Sequence, residues 1–422
     1  MARTVLIIAN VDTRGAEFRQ YVDLVQTHGL RAILMDVSME QPPPFAGDIS
    51  CAEVAEAGGS DIETVRRNYR EDRDLATAAM VHGGRVIARR LLDQGKIQGV
   101  FGCGGATGTL IATSIMRTLP FGVPKVVATS VASHPRYVAS YVGTSDITLL
   151  NTVVDVMGWN PLLDAQLRNG IGAICGMVQG SGGPPKTGGR VVGITSFGFA
   201  ERCVEPAIHL LREAGFDPVP FHAQGRGDRA MDEMVRDGQL AGVLDLVTRG
   251  VGEELLRGNC AAGPDRVLAA AEKGIPMVVA PSGLDMLSVG GQDGWRERFE
   301  GRAHVVVDKL RVMVRTSAEE CREMARILAA RLNQATAPFL VVLPSGGWSS
   351  LDALGRALWD PKADAAFVEE LKSRLSRPDR IREVDCNLYT PEFGKAAVTA
   401  FVDAWQEHKG NGPANIYQAM AI

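Results

Sequence analysis

The sequence lacks any grouping of cysteines. It has seven, an odd number, each standing alone with no C-x-x-C pair, at positions 51, 103, 175, 203, 260, 321 and 386. This spacing argues against a disulfide framework and against a zinc ribbon, because both need cysteines at paired spacings. Scattered single cysteines are typical of a reducing compartment, and we expect a cytoplasmic protein.

Long hydrophobic runs are also missing. The first apolar run, residues 5–9, is too short for the apolar region of a signal peptide, and no cleavage site follows it. Residues 99–116 carry no charge, but glycine, threonine and serine recur among them and make them too polar for a lipid-facing helix. We therefore interpret this segment as buried in protein and expect no membrane partner.

Neither sign of charge dominates the sequence. It has 45 Lys and Arg against 49 Asp and Glu, for a net charge of −4. Binding along a nucleic-acid backbone needs a basic excess, so we expect no nucleic-acid partner. Hydrophobic residues make up 45% of the 422 residues, and a chain of this length usually forms two domains.

Runs rich in β-branched residues alternate with segments whose apolar residues recur at helical spacing. Strands are predicted at residues 5–9, 32–35, 100–101, 125–129, 190–196, 218–221, 242–246, 277–280, 339–343 and 381–384. Helices are predicted at residues 16–27, 74–92, 110–116, 147–157, 200–213, 319–332, 364–375 and 393–405. This alternation predicts parallel α/β construction.

A segment without apolar anchors divides the pattern. Residues 180–189 read Gly-Ser-Gly-Gly-Pro-Pro-Lys-Thr-Gly-Gly, which is typical of a linker. We expect two Rossmann-like domains, 1–182 and 188–422, with parallel sheets flanked by helices and facing a central cleft, and a last helix that packs back across the interface. Ligands of open α/β sheets bind beyond the carboxyl ends of the strands, so candidate site residues follow each strand.

The most informative motif is Gly102-Cys-Gly-Gly-Ala-Thr-Gly-Thr109, between a predicted strand and a predicted helix. Free N–H groups and the positive end of a helix dipole favour phosphate or carboxylate there. Candidate cofactor-binding residues are Gly102, Gly104, Gly105, Thr107, Gly108 and Thr109. No lysine follows Gly108, which excludes a P-loop, and the dinucleotide fingerprint also fails. The alternative is a tight turn whose glycines only permit close packing.

The end of the first strand supplies further candidates. Asp12 or Thr13 can cap the predicted helix at 16–27, and Arg14 can lie beside a phosphate. Ser130 follows the strand at 125–129. We predict all four as cofactor-binding residues.

A second group of candidates lies at Gly143-Thr-Ser-Asp146. Thr144 and Asp146 are suited to Mg²⁺ or a ribose, and Asp12 and Asp146 are the predicted metal ligands, because Mg²⁺ with phosphates usually uses one or two carboxylates. Gly143 is included as a cofactor-binding candidate. The alternative is a capped helix beginning near residue 147.

Candidates in the second half are less specific. His222 follows a predicted strand, Arg226 and Arg229 come in the turn after it, and Asp245 lies in the next predicted strand. We take His222, Arg229 and Asp245 as candidate catalytic residues, and the arginines as suited to a small anionic substrate. No G-x-S-x-G, H-E-x-x-H or EF-hand motif occurs, so the motifs do not identify a reaction.

A set of motifs lies along the chain at residues 8–15, 102–125, 142–147, 221–231, 241–246, 262–266, 281–286 and 344–348. Taken together in this order, they resemble the ATP-binding domain family of the tomato mosaic virus resistance protein and its bacterial relatives. The resemblance covers nearly the whole chain. It implies a two-domain α/β protein that binds ATP with Mg²⁺ and forms a homodimer or higher homo-oligomer. Arg14 stands where lysine is usual in that family.

The sequence and the resemblance together favour an ATP- and Mg²⁺-dependent enzyme acting on a small anionic metabolite in the interdomain cleft. Such an enzyme would be a transferase, ligase or hydrolase on a small acid. Two alternatives stay open at this point. One is a non-catalytic nucleotide-responsive binding module, and the other is an enzyme that converts a sugar phosphate or acid sugar without ATP.

Overall fold

The computed structural model describes residues 2–135, 137–158, 160–183 and 189–410, without the side chains of residues 14, 16 and 17. The chain divides into two compact units, Met1–Lys186 and Thr187–Ile422, called unit 1 and unit 2 below. Of the predicted linker at 180–189, residues 184–188 lie outside the described part of the chain.

Unit 1 is built around a parallel sheet of five strands. The strands are β1 (Thr4–Ala9), β2 (Arg31–Asp36), β3 (Gly99–Gly104), β4 (Lys125–Thr129) and β5 (Thr148–Asn151), in the spatial order β2-β1-β3-β4-β5. The helices are α1 (Val11–Thr27), α2 (Cys51–Ala57), α3 (Ile62–Glu71), α4 (Arg73–Asp93), α5 (Ala106–Met116), α6 (Val138–Val142) and α7 (Pro161–Gly180).

Alternation along the strands produces two cores in unit 1. Val5 and Ile7 of β1 pack with α1 and α7, whereas Leu6 and Ile8 pack with α2, α4 and α5 on the other face. A strand buried on both faces needs apolar side chains at successive positions, which is why β1 is an unbroken apolar run. Within the described residues, no helix is both long and apolar enough to cross a membrane.

Unit 2 contains a six-stranded parallel sheet and a small antiparallel one. The strands are β6 (Val191–Ser196), β7 (Asp217–His222), β8 (Gly242–Asp245), β9 (Met277–Val279), β10 (Met286–Ser288), β11 (His304–Val306), β12 (Val312–Arg315), β13 (Phe339–Pro344) and β14 (Ile381–Val384). The large sheet has the order β14-β13-β9-β8-β6-β7, and the small one β10-β12-β11.

Helices cover both faces of the large sheet. They are α8 (Glu201–Glu213), α9 (Arg226–Arg236), α10 (Gly250–Leu255), α11 (Leu268–Lys273), α12 (Trp295–Arg298), α13 (Ala318–Leu332), α14 (Pro361–Arg374) and α15 (Pro391–His408). One core holds α9, α11, α13 and α14, and the other holds α8 and α15. The last helix, α15, therefore packs on the sheet of its own unit. Parallel sheets flanked by helices confirm the predicted fold class.

Two secondary-structure predictions were wrong. The helix predicted at 147–157 is instead the strand β5, which pairs in parallel with β4. Its residues complete the edge of the sheet, and this pairing with a distant strand outweighs their local helical spacing. The first helix begins at Val11 rather than near residue 16, so Asp12 and Thr13 lie inside its first turn. The antiparallel sheet was missed because its strands have only three or four residues.

Candidate functional site

A crevice opens at the switch point of the first sheet. From β1 the chain crosses to β2 on one side, and β3 lies on the other side of β1. Ligands of open α/β sheets bind at such points, beyond the carboxyl ends of the strands. A cavity of about 250 Å³ lies there. It is lined by Asn10, Asp12, Thr13, Met39, Glu40, Tyr69, Cys103, Gly104, Gly105, Ala106, Thr107 and Gly108.

The glycine-rich motif forms the junction between β3 and α5. Gly105 is the N-cap residue of α5, and the first helical hydrogen bond runs from the N–H of Thr109 to the carbonyl of Gly105. For the described part of the chain, the structure records no acceptor for the N–H groups of Ala106, Thr107 and Gly108. Three such donors at the positive end of a helix dipole are chemically suited to an anion.

The glycines of this junction differ in what surrounds them. A Cβ at Gly102 would lie 2.6 Å from the Cβ of Ala112, and one at Gly108 would lie 3.3 Å from Oδ1 of Asn10. A Cβ at Gly104 would meet the backbone of Gly108 at 3.2 Å. These three glycines permit close packing, as the alternative interpretation proposed. A Cβ at Gly105 would meet nothing within 4 Å, so the space above Gly105 is open.

Buried hydroxyl groups fix the position of the junction. The hydroxyl of Thr109 donates to Oγ1 of Thr129, at the end of β4, over 2.7 Å. Tyr141 donates its hydroxyl to the carbonyl of Ala106 over 3.2 Å. The side chain of Thr109 therefore ties α5 to the sheet, and its hydroxyl has a protein partner.

Asp12 binds a neighbouring loop rather than capping α1. Its Oδ2 accepts N–H groups of Met39, Glu40 and Gln41 at 3.2, 2.9 and 3.3 Å. The N-cap residue of α1 is Asn10, without a side-chain cap. The Oδ1 atom of Asp12 is buried and has no hydrogen-bond partner among the described residues. This oxygen is placed to accept a cation or a ligand donor.

Three other cofactor-binding candidates follow β1 or β4. The hydroxyl of Thr13 donates to the carbonyl of Asn10 over 3.2 Å. Arg14 lies in the first turns of α1, and its side chain is outside the described part of the structure. Ser130 follows β4 directly, and its hydroxyl lies 3.4 Å from Oδ1 of Asp155.

Asp36, at the end of β2, is linked to Asp12 through Ser38. It is fully buried, and its Oδ1 accepts the N–H groups of Val11 and Ser38 and the hydroxyl of Ser38. Oγ of Ser38 in turn accepts the N–H of Asp12 over 2.9 Å. Burial raises the pKa of Asp36 above its usual value. Sequence reasoning missed this residue, although an aspartate directly after an apolar run was a usable signal.

The structure does not bring Asp146 to the crevice. Lys125 begins β4, is fully buried, and donates its Nζ to Oδ1 of Asp146 over 2.7 Å. Oδ2 of Asp146 accepts the N–H of Gly122 over 2.8 Å. Asp146 thus lies near the amino end of β4, whereas Asp12 follows the carboxyl end of β1. Because the strands are parallel, the two predicted metal ligands lie at opposite edges of the sheet.

Gly143 and Thr144 precede Asp146, between α6 and β5. Gly143 adopts a left-handed conformation with φ of 59°, and a Cβ there would lie 3.4 Å from Nε of Arg117. Both residues belong to the connection from α6 to β5, and neither lines the cavity beside Gly105.

At the corresponding switch point of unit 2, a buried arginine lies among buried aspartates. Asp245 ends β8 and is buried. Its Oδ1 accepts the hydroxyl of Thr195 over 2.7 Å and Nη2 of Arg266 over 2.8 Å. Arg266, also fully buried, faces Asp228 and Asp232 at 3.6 and 3.3 Å. Burial raises the pKa of Asp245, and it raises that of Asp232 to about 7.

The other two catalytic candidates lie on the surface of unit 2. His222 ends β7 and is exposed. Arg229 lies on α9 with its side chain about half exposed, and its guanidinium is 3.9 Å from the carboxylate of Glu233. Arg226 is the first residue of α9. Asp245 is buried beside Arg266, so it is less accessible to a substrate than His222 or Arg229.

A second set of buried acids lies further along the same sheet edge. Asp285, Asp352 and Asp364 surround Arg315, which pairs with Oδ1 of Asp364 at 2.5 Å. Burial first, and then the neighbouring Asp352, raise the pKa of Asp285 to about 6 and that of Asp364 to about 8. Ser349 donates its hydroxyl to Asp285 over 2.6 Å.

Fold and crevice together define a two-unit parallel α/β protein with a glycine-rich strand-to-helix junction at the switch point of its first sheet. Comparison with protein families specifies it further. The N-terminal domain of the "Uncharacterised protein family (UPF0261)" matches residues 3–182, and the C-terminal domain of that family matches residues 190–405. The chain belongs to the UPF0261 family.

Relatives of similar length occur in bacteria. A UPF0261 protein of Clostridium tetani is 33% identical over 408 residues, which cover 96% of this chain and 100% of that protein. One of Rhizobium meliloti is 34% identical, covering 95% of this chain and 99% of its own. The ToMV resistance protein Tm-1(GCR237) of Solanum lycopersicum is 33% identical over 84% of this chain, but the match spans only 48% of the tomato protein.

Proposed function

We propose that unit 1 binds ATP and holds its phosphates on the first turn of α5. The observation that carries the proposal is the set of three N–H groups, of Ala106, Thr107 and Gly108, that have no acceptor among the described residues and border the cavity at the switch point. Backbone donors at a helix N-terminus favour phosphate oxygens through direct hydrogen bonds and through the helix dipole. The family resemblance stated from the sequence supports the same ligand.

The size of the cavity limits how much of the ligand it encloses. Its volume is about 250 Å³, slightly below the roughly 300–1,000 Å³ of most small-molecule pockets. We therefore expect it to enclose part of a nucleotide rather than all of it. The open space above Gly105 is where the phosphates would approach the donors.

The charges of the cavity suggest that Mg²⁺ accompanies the phosphates. Its described lining side chains include two carboxylates, Asp12 and Glu40, and no lysine or arginine. A triphosphate beside Asp12 needs a counter-charge, which Mg²⁺ would supply. The unpartnered, buried Oδ1 of Asp12 fits such an ion, because Mg²⁺ in nucleotide sites uses one or two carboxylates together with water and phosphate.

Substitution of Gly105 by alanine tests the proposal. An added Cβ would enter open space with an ordinary φ of −77°, so the fold should be as stable as in the wild type. It would nevertheless occupy the approach of the phosphates, and we expect the affinity for ATP with Mg²⁺ to fall about tenfold or more, or about 1.4 kcal/mol. Isothermal titration calorimetry measures the affinity, and thermal unfolding checks the fold.

Gly172→Ala is the matched control, because a Cβ there also meets nothing within 4 Å but lies on α7, away from the crevice. It should leave ATP binding unchanged. Equal ATP affinities of Gly105→Ala and the wild type would contradict the proposal, as would a wild-type protein that ATP does not bind.

We extend the proposal to an ATP-dependent enzyme acting on a small anionic metabolite. Release of ADP in the presence of candidate acids is the deciding measurement. Binding of ATP without turnover under any condition would instead support a nucleotide-responsive module. A thermal shift with sugar phosphates but not with ATP would support a sugar-phosphate enzyme, since only a ligand of the folded state raises its stability.

A further inference from the structure

The same cavity has a second end, formed by residues that sequence analysis did not select. Met39 and Glu40, which follow β2, and Tyr69 of α3 line it together with the glycine-rich junction. The N–H of Glu40 donates to Oδ2 of Asp12, so the loop carrying Glu40 is held by the residue proposed to bind Mg²⁺.

Tyr69 is held in place by two charged neighbours. The guanidinium of Arg73 lies over its ring, 4.7 Å from the centroid, which is a favourable cation–π distance. Its hydroxyl donates to Oε2 of Glu40 over 3.3 Å. Partial burial and then Glu40 raise the pKa of Tyr69, which keeps its hydroxyl protonated as a donor. Tyr69 thus contributes an oriented aromatic surface to the cavity.

Charge argues against a second anion at this end. Among the described side chains that line the cavity, the charged group here is the carboxylate of Glu40, and Arg73 is engaged by the Tyr69 ring. A carboxylate accepts hydrogen bonds from sugar hydroxyls, as acidic residues do for ribose in dinucleotide-binding folds. Aromatic rings stack on bases through their π-faces. The chemistry fits a hydroxyl-bearing, planar group next to the phosphates.

We infer that Tyr69 and Glu40 form the nucleoside subsite of the crevice, with Tyr69 contacting the base and Glu40 accepting a ribose hydroxyl. This inference rests on the proposed function and deepens it. It makes the ligand a nucleoside phosphate rather than an inorganic polyphosphate or a sugar bisphosphate. Tyr69 is then a residue that determines specificity, and the phosphate affinity belongs to the junction at Gly105.

The test compares ATP with inorganic tripolyphosphate, each with Mg²⁺, by isothermal titration calorimetry. Wild-type protein should bind ATP more tightly than tripolyphosphate. Tyr69→Ala should lower the affinity for ATP about tenfold, within the range found for loss of one base–aromatic stack. It should leave the affinity for tripolyphosphate unchanged. Tyr69→Phe should retain most of the ATP affinity, because the ring persists. Glu40→Gln should lower the affinity for ATP but not the affinity for tripolyphosphate.

Tyr389→Ala is the matched control, because Tyr389 is also stacked with an arginine, Arg202 at 5.8 Å, but belongs to unit 2. It should change neither affinity. An equal loss of affinity for both ligands in Tyr69→Ala would show a structural role and overturn the inference. Unchanged affinity for both ligands would also overturn it. If tripolyphosphate binds as tightly as ATP, the inference fails while the anion site stands. If neither binds to wild-type protein, the proposed function itself fails.

Discussion

Among the single residues of unit 2, one group of buried aspartates outnumbers the arginine that it surrounds. Asp285, Asp352 and Asp364 surround one arginine, Arg315. Ionised carboxylates at this density repel one another and lose their hydration, so burial and mutual repulsion favour the protonated form. The raised pKa values of Asp285 and Asp364 follow from that arrangement.

The stability of unit 2 should therefore fall as pH rises. Asp364, with a pKa of about 8 in the folded state against 3.8 as its usual value, binds its proton more tightly when folded. The folded state thus gains stability at low pH and loses it as pH rises through 8. Urea unfolding between pH 6 and 9 should show this decline, and Asp364→Asn should flatten it, because asparagine can still accept from Arg315.

Asp379→Asn is the control for this measurement. Asp379 is exposed, and its pKa is lowered by Arg377 rather than raised, so its substitution should leave the decline between pH 6 and 9 as in the wild type. The explanation from buried acids would be contradicted if Asp364→Asn showed the wild-type slope.

Residue types located the glycine-rich junction better than the residues around it. The glycines between Gly102 and Gly108 were visible because several glycines directly after a predicted strand are typical of a tight turn into a helix. Glu40 and Tyr69 were not, because their place at the cavity depends on how the segments after β2 and in α3 fold within unit 1. Nothing in the local sequence at Tyr69 shows that its ring reaches the cavity beside Gly105.

At the scale of elements, the two ends of β4 have different roles. Its carboxyl end provides Thr129, which ties α5 to the sheet through Thr109. Its amino end begins with Lys125, whose ammonium group is neutralised by Asp146 and also bound by the carbonyls of Pro120 and Val123. Burial lowers the pKa of Lys125. The Lys125–Asp146 pair therefore joins the first residue of β4 to the segment before β5.

Breaking this pair should affect stability and leave binding unchanged. Lys125→Met removes one charge and leaves Asp146, which is partly exposed, without its partner. We expect unit 1 to lose about 2–4 kcal/mol of unfolding free energy, and Lys125→Met with Asp146→Asn to lose less. Denaturant unfolding measures both. Asp146→Asn alone should leave the affinity for ATP with Mg²⁺ unchanged, and a loss of that affinity would return Asp146 to the site.

Buried strands were located from the sequence more accurately than the edge strand β5. Strands such as β1 and β4, apolar on both faces, were located from sequence to within a residue. The segment 147–157 was assigned to a helix because its apolar spacing suits either structure, and only the free edge of β4 selects the strand β5. Asp146 was misplaced for the same reason, because a residue before a strand lies at the opposite edge from a residue after one.

For the whole molecule, the division into two units, each with its own sheet and its own cores, carries the main consequence. Four of the hydrophobic clusters cover the faces of the two parallel sheets, two in each unit. Autonomous cores of this size are typical of domains that fold alone. The proposed nucleotide site, from Asp12 to Tyr69 and Gly105, lies wholly within unit 1.

A fragment of residues 1–186 should therefore fold and bind ATP. We expect a cooperative thermal transition and an ATP affinity within about threefold of that of the full chain, because each proposed contact lies in this fragment. Calorimetric titration of both proteins measures this, and the fragment carrying Gly105→Ala is the control. A folded fragment without ATP affinity, beside a full chain that binds, would place part of the site in unit 2.

The recurrence of one winding in both sheets has a final consequence. Each begins with a central strand flanked by the second and third, and so each creates a gap at that place. In unit 1 bare amides border the gap, whereas in unit 2 the guanidinium of Arg266 fills it among aspartates. The second unit has thus internalised its counter-ion. The proposed nucleotide site therefore belongs to unit 1, while at the equivalent position unit 2 holds a buried arginine among three aspartates.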